Sequence, residues 1–76
     1  MIKEHDRVVL KASIPEQCLV PCDVGTVVHV YAGCKAFEVE FMSLNGETAA
    51  IDTLEAANVR SVHKREITHA RQLAAA

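Results

Sequence analysis

The chain has 76 residues and a mass of 8.3 kDa, room for one domain with an expected radius of gyration of roughly 11 Å. Half of its residues are hydrophobic, but eleven of these are Ala and ten are Val, against two Phe, one Tyr and no Trp; the core is light, and a domain of this size buries only about 60% of the surface its unfolded chain exposes. Eight basic and ten acidic side chains give a net charge of −2, which argues against a dedicated binder of nucleic-acid backbone, since that affinity comes from a basic stripe.

No apolar run approaches the ~20 residues of a membrane-spanning helix. The stretch from Met1 to Arg7 alternates charges where a secretory leader needs an apolar segment, so the cytoplasm is the expected location. Cys18, Cys22 and Cys34 form an odd set expected to remain thiols in a reducing compartment.

In chain order the periodicity is two almost throughout. Arg7 to Lys11 places Val8 and Leu10 on one face and reads as a half-buried strand. Ala12 to Asp23 holds Pro15 and Pro21, neither able to donate to a ladder, and reads as a long loop. Val24 to Tyr31 is rich in β-branched residues and apolar on both sides, as in a strand that bends strongly, with Gly25 permitting the bend. Ala32 to Lys35 turns the chain into Ala36 to Phe41, where Phe37, Val39 and Phe41 alternate with Glu38 and Glu40.

Asn45-Gly46 signals a hairpin. A two-residue turn there would set Asp52 beside Val39 on the core side. A three-residue loop, Leu44-Asn45-Gly46 with Gly46 left-handed, instead pairs Phe41 with Ala49, Val39 with Ile51 and Phe37 with Thr53, and the hydrophobic pattern favours it because a one-residue slip inverts the faces. That register puts Glu38 opposite Asp52 on the exterior. Thr48 to Leu54 forms the returning strand, Glu55 to Asn58 a single helical turn, and Val59 to Val62 the last strand. The predicted core layer is Val8, Leu10, Phe37, Val39, Phe41, Ile51 and Val59.

Five short strands, a long first loop and a helical turn before the last strand predict a mainly β chain, a five-stranded SH3-like small barrel over residues 1–63. From Lys64 onward, Ile67, Ala70 and Ala74 share a helical face among good helix formers, so residues 64–76 are expected to form a C-terminal helix or tail that packs on the barrel or on a partner subunit.

His5-Asp6-Arg7-Val8-Val9-Leu10, Asp23 through Tyr31, Phe37-Glu38-Val39-Glu40-Phe41 and Thr53-Leu54-Glu55 together resemble a family of small bacterial proteins classed only as a domain of unknown function. The resemblance covers roughly residues 2 to 62 and implies a stand-alone SH3-like barrel of a kind also found among integron-type mobile gene cassettes. Asp23-Val24-Gly25-Thr26-Val27 is also similar to the glycine-bearing turn of KOW segments and to barrels that serve as enzyme subunits, such as that of nitrile hydratase. These likenesses imply a fold and carry no activity over to particular residues.

Three constellations could carry chemistry. Cys18 and Cys22 have a spacing compatible with zinc, and Cys34 with His29 could complete four ligands, but a structural zinc site usually shows two tight ligand pairs and only one exists here. No metal or cofactor is expected. Glu38, Glu40 and Asp52, with His29 beside them, make an acidic exterior that could dock a basic protein; like charges facing each other across a ladder are destabilising, while exterior charge also discourages unwanted strand addition. Arg60, Lys64, Arg65 and Arg71 are the candidate nucleic-acid contacts. Ser13, Ser43 and Ser61 lie in no nucleophile motif, and His5, His29, His63 and His69 are scattered, so the chain is expected not to be an enzyme. The first reading is a protein-binding module, self-associating or serving as the small partner of a neighbouring gene product. A nucleic-acid-binding barrel and an accessory subunit of an enzyme are the alternatives.

Overall fold

The computed structural model describes residues 1–73. Its five strands are β1 (Arg7–Leu10), β2 (Val24–Val30), β3 (Ala36–Met42), β4 (Thr48–Glu55) and β5 (Val59–Ser61), each within one residue of the sequence-based limits at either end. All pairs are antiparallel, in the order β4-β3-β2-β1-β5. Short 3-10 turns at Pro15–Gln17, Ala32–Cys34 and Ala56–Asn58 punctuate the connections.

The sheet is open. Its end strands, β4 and β5, are not joined by a ladder among the described residues, so the expected closed barrel is corrected to an open, bent sheet. β5 lasts only three residues before the chain turns away, too short to seal the gap.

One side of the sheet carries the core: Val8 and Leu10 from β1, Val27 from β2, Phe37, Val39 and Phe41 from β3, Ala50 and Leu54 from β4, Val59 from β5, and Leu19 from the long loop. Leu19 is fixed there by reciprocal backbone hydrogen bonds with Ile14. Gly25 is buried opposite Val8, and a Cβ at this position would lie 2.5 Å from the Val39 Cγ1 and 3.0 Å from the Glu40 carbonyl oxygen. Glycine is therefore required by close approach of β2 to β3.

The β3–β4 hairpin combines both sequence-based alternatives. The loop closes as the three-residue reading expects: Ser43 donates its N–H to the Glu47 carbonyl, Gly46 has φ 92°, and Met42 pairs with Thr48. A bulge next to Phe41 then shifts the ladder by one residue, so that Phe41 faces Ala50, Val39 faces Asp52 and Phe37 faces Leu54. The expected pairs with Ala49, Ile51 and Thr53 do not form. The exchange places Leu54 rather than Thr53 against Phe37, at the expense of leaving Ile51 outside and Asp52 half-buried on the core side.

The expected C-terminal helix does not form among the described residues. Residues 66–73 form no regular element, and the turn at Lys64-Arg65 places Arg65 at φ 81°, the wrong hand for an α-helix. A helix of this length is marginal in water without packing, and Ile67, its intended apolar anchor, is 92% exposed. Ala74, the last residue of its apolar stripe, lies outside the described residues. No helix among those residues is long and apolar enough to cross a membrane.

Candidate functional site

Strand parity assigns the outer face of the sheet, away from the core. Arg7 pairs with Thr26 and Thr26 with Glu40, which pairs with Ile51; Val24 and Arg60 flank Val9; His29 pairs with Glu38, which pairs with Thr53. These residues share one surface, divided into an open half and a covered half.

The open half lies on β2, β3 and β4. A bulge after Val27 brings His29 and Tyr31 to the same side, their rings 4.6 Å apart and edge to face at 87°. The Tyr31 hydroxyl donates to Glu38 Oε1 at 3.2 Å, and the Thr48 hydroxyl to Glu40 Oε2 at 2.5 Å. His29 Nδ1 stands 3.9 Å from Glu4 Oε2. Around these carboxylates Tyr31 and Ile51 remain exposed. The arrangement is a shallow acidic surface with apolar and aromatic contact area, suited to non-covalent recognition.

The covered half lies on β1, β5 and the start of β2. Residues 62–73 run back across it as a strap, enclosing with Val9, Val24 and Met42 a cleft of about 860 Å³. Two bidentate ion pairs hold the strap. At the near end Glu66 accepts from both terminal nitrogens of Arg60 at 3.0 and 2.7 Å and from the His63 backbone N–H at 2.5 Å. The hydrogen bonds from Arg60, then that from His63, pull the Glu66 carboxyl down to about 2.

At the far end Arg71 donates from Nε and Nη2 to the two oxygens of Asp23, at 2.9 and 2.5 Å, and from Nη2 to the Cys18 carbonyl. Asp23 is held by its own turn: Pro21 and Cys22 occupy the corner, Cys22 at φ 80°, the Asp23 N–H donates to the Val20 carbonyl, and the Val20 N–H donates to Asp23 Oδ2. Partial burial raises this carboxyl's pKa, but the bonds from Arg71 and Val20 outweigh it and hold the group below its usual range. Arg60 and Arg71 are correspondingly shifted up by the carboxylates they meet.

Glu38, Glu40 and His29 are thus brought together on one face as the sequence predicts. Asp52 is not with them. The bulge turns it to the core side of the edge strand β4, where its Oδ1 accepts the N–H of Thr53 at 2.9 Å, so the Glu38–Asp52 repulsion does not arise. Of the four basic candidates, Arg60 and Arg71 are neutralised by Glu66 and Asp23, and Lys64 and Arg65 sit exposed in the turn between them; they form no continuous stripe. Cys18, Cys22 and Cys34 are free thiols, all at positive φ, and among the described residues no three potential ligands are grouped to hold a metal. Sequence reading missed Asp23, Glu66 and Glu4. Asp23 and Arg71 are 48 positions apart, beyond any local signal, whereas Glu66 followed a hydrogen-bonding turn that the helical reading concealed.

A family model described as Domain of unknown function (DUF4926) matches residues 4–61. The chain belongs to this family. The matched region begins just before β1 and ends on the last residue of β5, so the open acidic half lies inside it and the strap outside. No curated protein and no solved structure matches the chain.

Proposed function

We propose that the chain is a non-enzymatic protein-interaction module whose open outer face, on β2, β3 and β4, docks a basic partner. The observation that carries this reading is the grouping of Glu38 and Glu40 with exposed Tyr31 and Ile51 on one uncovered sheet face. Aromatic and aliphatic contact area supplies affinity, and surrounding carboxylates supply orientation and salt-dependent association. His29 supports the site by edge contact with Tyr31, and Asp52 guards its rim by accepting from an edge N–H that would otherwise donate to an added strand. An SH3-like module of the kind carried on bacterial mobile cassettes would act through such a face as the small partner of a neighbouring gene product. The neutralisation of Arg60 and Arg71 by carboxylates speaks against the nucleic-acid reading.

The test compares the natural chain with a Glu38→Gln, Glu40→Gln, Ile51→Lys triple variant as baits in source-cell extract, followed by mass spectrometry. A captured basic protein that elutes with salt and is lost with the variant is the expected result. Equal capture by both baits counts against the open face.

A further inference from the structure

Polar contacts fasten the strap at two points. Among the described residues, no backbone hydrogen bond ties positions 67–73 to the sheet, Ile67 is 92% exposed, and the segment is connected through a turn whose Arg65 is held at φ 81°, a costly conformation for a residue with a Cβ. What the covered half recognises is a charge pattern. Arg60 receives a carboxylate and Asp23 receives a guanidinium, and the strap offers Glu66 and Arg71 five positions apart to match them.

We infer that this half of the face is a self-association site, in which the strap of a second copy takes the place of the chain's own and the two copies exchange straps. This is independent of the docking proposed for the open half. Both ion pairs made within one chain can be remade between two, because the groove and the segment are the same in each copy. The hinge gains from the exchange: extending the chain through Lys64-Arg65 releases the left-handed backbone, and short strained hinges favour swapping. The second copy is the occupant that fits because it alone necessarily carries the complementary Glu66 and Arg71 at the matching spacing.

The experiment measures mass in solution by light scattering on the full chain. The natural protein should pass with rising concentration from 8.3 kDa towards twice that mass. Arg65→Gly, which relaxes the turn while closed, should lower the dimer fraction several-fold. Arg65→Pro, which forbids the positive φ, should raise it several-fold; neither change touches the core. Two further variants separate exchange from closure within one chain. Asp23→Arg and Arg71→Asp each break the far fastening alone, but when mixed, each groove finds a complementary strap only on the other protein, so a one-to-one heterodimer should form. A natural chain that stays monomeric at all concentrations, with both Arg65 variants matching it and no heterodimer in the mixture, overturns the inference.

Discussion

On the outer face, Val9 and Ile51 are comparable aliphatic residues on neighbouring parts of one sheet, yet Val9 is 6% exposed and Ile51 50%. Neither belongs to the core side; Val9 sits on the interior strand β1, Ile51 on the edge strand β4. The strap adds to this difference of position: it returns over β1 and β5 and shares a cleft with Val9 that reaches the hairpin end of β3 and β4 but not Ile51. The same division separates the electrostatics: on the covered half each carboxylate meets a guanidinium, whereas on the open half Glu38 and Glu40 meet only hydroxyls. In so small a domain, one covered stretch of sheet adds appreciably to the buried surface, and the uncovered stretch is left for recognition.

The most severe way to break this comparison is to deform the sheet that both halves share. Gly25→Ala would drive a Cβ to 2.5 Å from the Val39 Cγ1 at the β2–β3 contact, and overpacking of this kind costs about 1–3 kcal/mol. Urea unfolding should show a lower midpoint with an unchanged slope, and an unaffected midpoint would mean that β2 and β3 can part without loss.

A milder test sets the two halves against each other. Val9→Ala should cost about 1 kcal/mol through lost burial beneath the strap, while Ile51→Ala should stay within about 0.5 kcal/mol, as surface changes do. Removing residues 62–76 should shrink the Val9 penalty, since the side chain would then already be exposed. If thermal unfolding finds equal penalties in the full chain, the strap does not cover Val9 in solution.

The strands were legible because two-residue alternation is local: Phe37, Val39 and Phe41 declare their own face. The hairpin loop was legible too, from Asn45-Gly46. What alternation could not reveal was the bulge beside it. Local pattern favours burying Ile51, whereas the packed sheet gains more by bringing Leu54 against Phe37, and the one-residue adjustment sends Ile51 out and Asp52 in. The tail misled for a related reason. Helix propensity in Arg65 to Ala74 is real but small per residue, and it yields to charge pairs formed with Asp23 and Arg60, residues that no sequence window places nearby. Glu38 and Glu40 were therefore readable from parity, whereas His29 joins them only through the bulge in β2, and the strap's fastenings became visible only in three dimensions.

The smallest expected effect, and the one most specific to the covered half, is a response to acid. Glu66 and Asp23 both have carboxyls held below their ordinary values in the folded chain, Glu66 at about 2 against 4.5. A depressed carboxyl stabilises the closed strap fully above its unfolded value and loses that contribution as pH falls through the folded one. The Glu66 fastening should accordingly be insensitive between pH 8 and pH 5 and weaken from about 4.5 towards about 2, and the Asp23 fastening should likewise be lost only in acid, below the ordinary aspartate range. Because the pairs are partly exposed, salt should loosen them as well. A soluble paramagnetic probe that broadens exposed methyl signals in NMR reads this directly: the Val9 methyls should become accessible below pH 4, while those of Val39, buried in the core, stay protected. Release of Val9 already between pH 8 and pH 5 would show that groups other than Glu66 and Asp23 govern the strap.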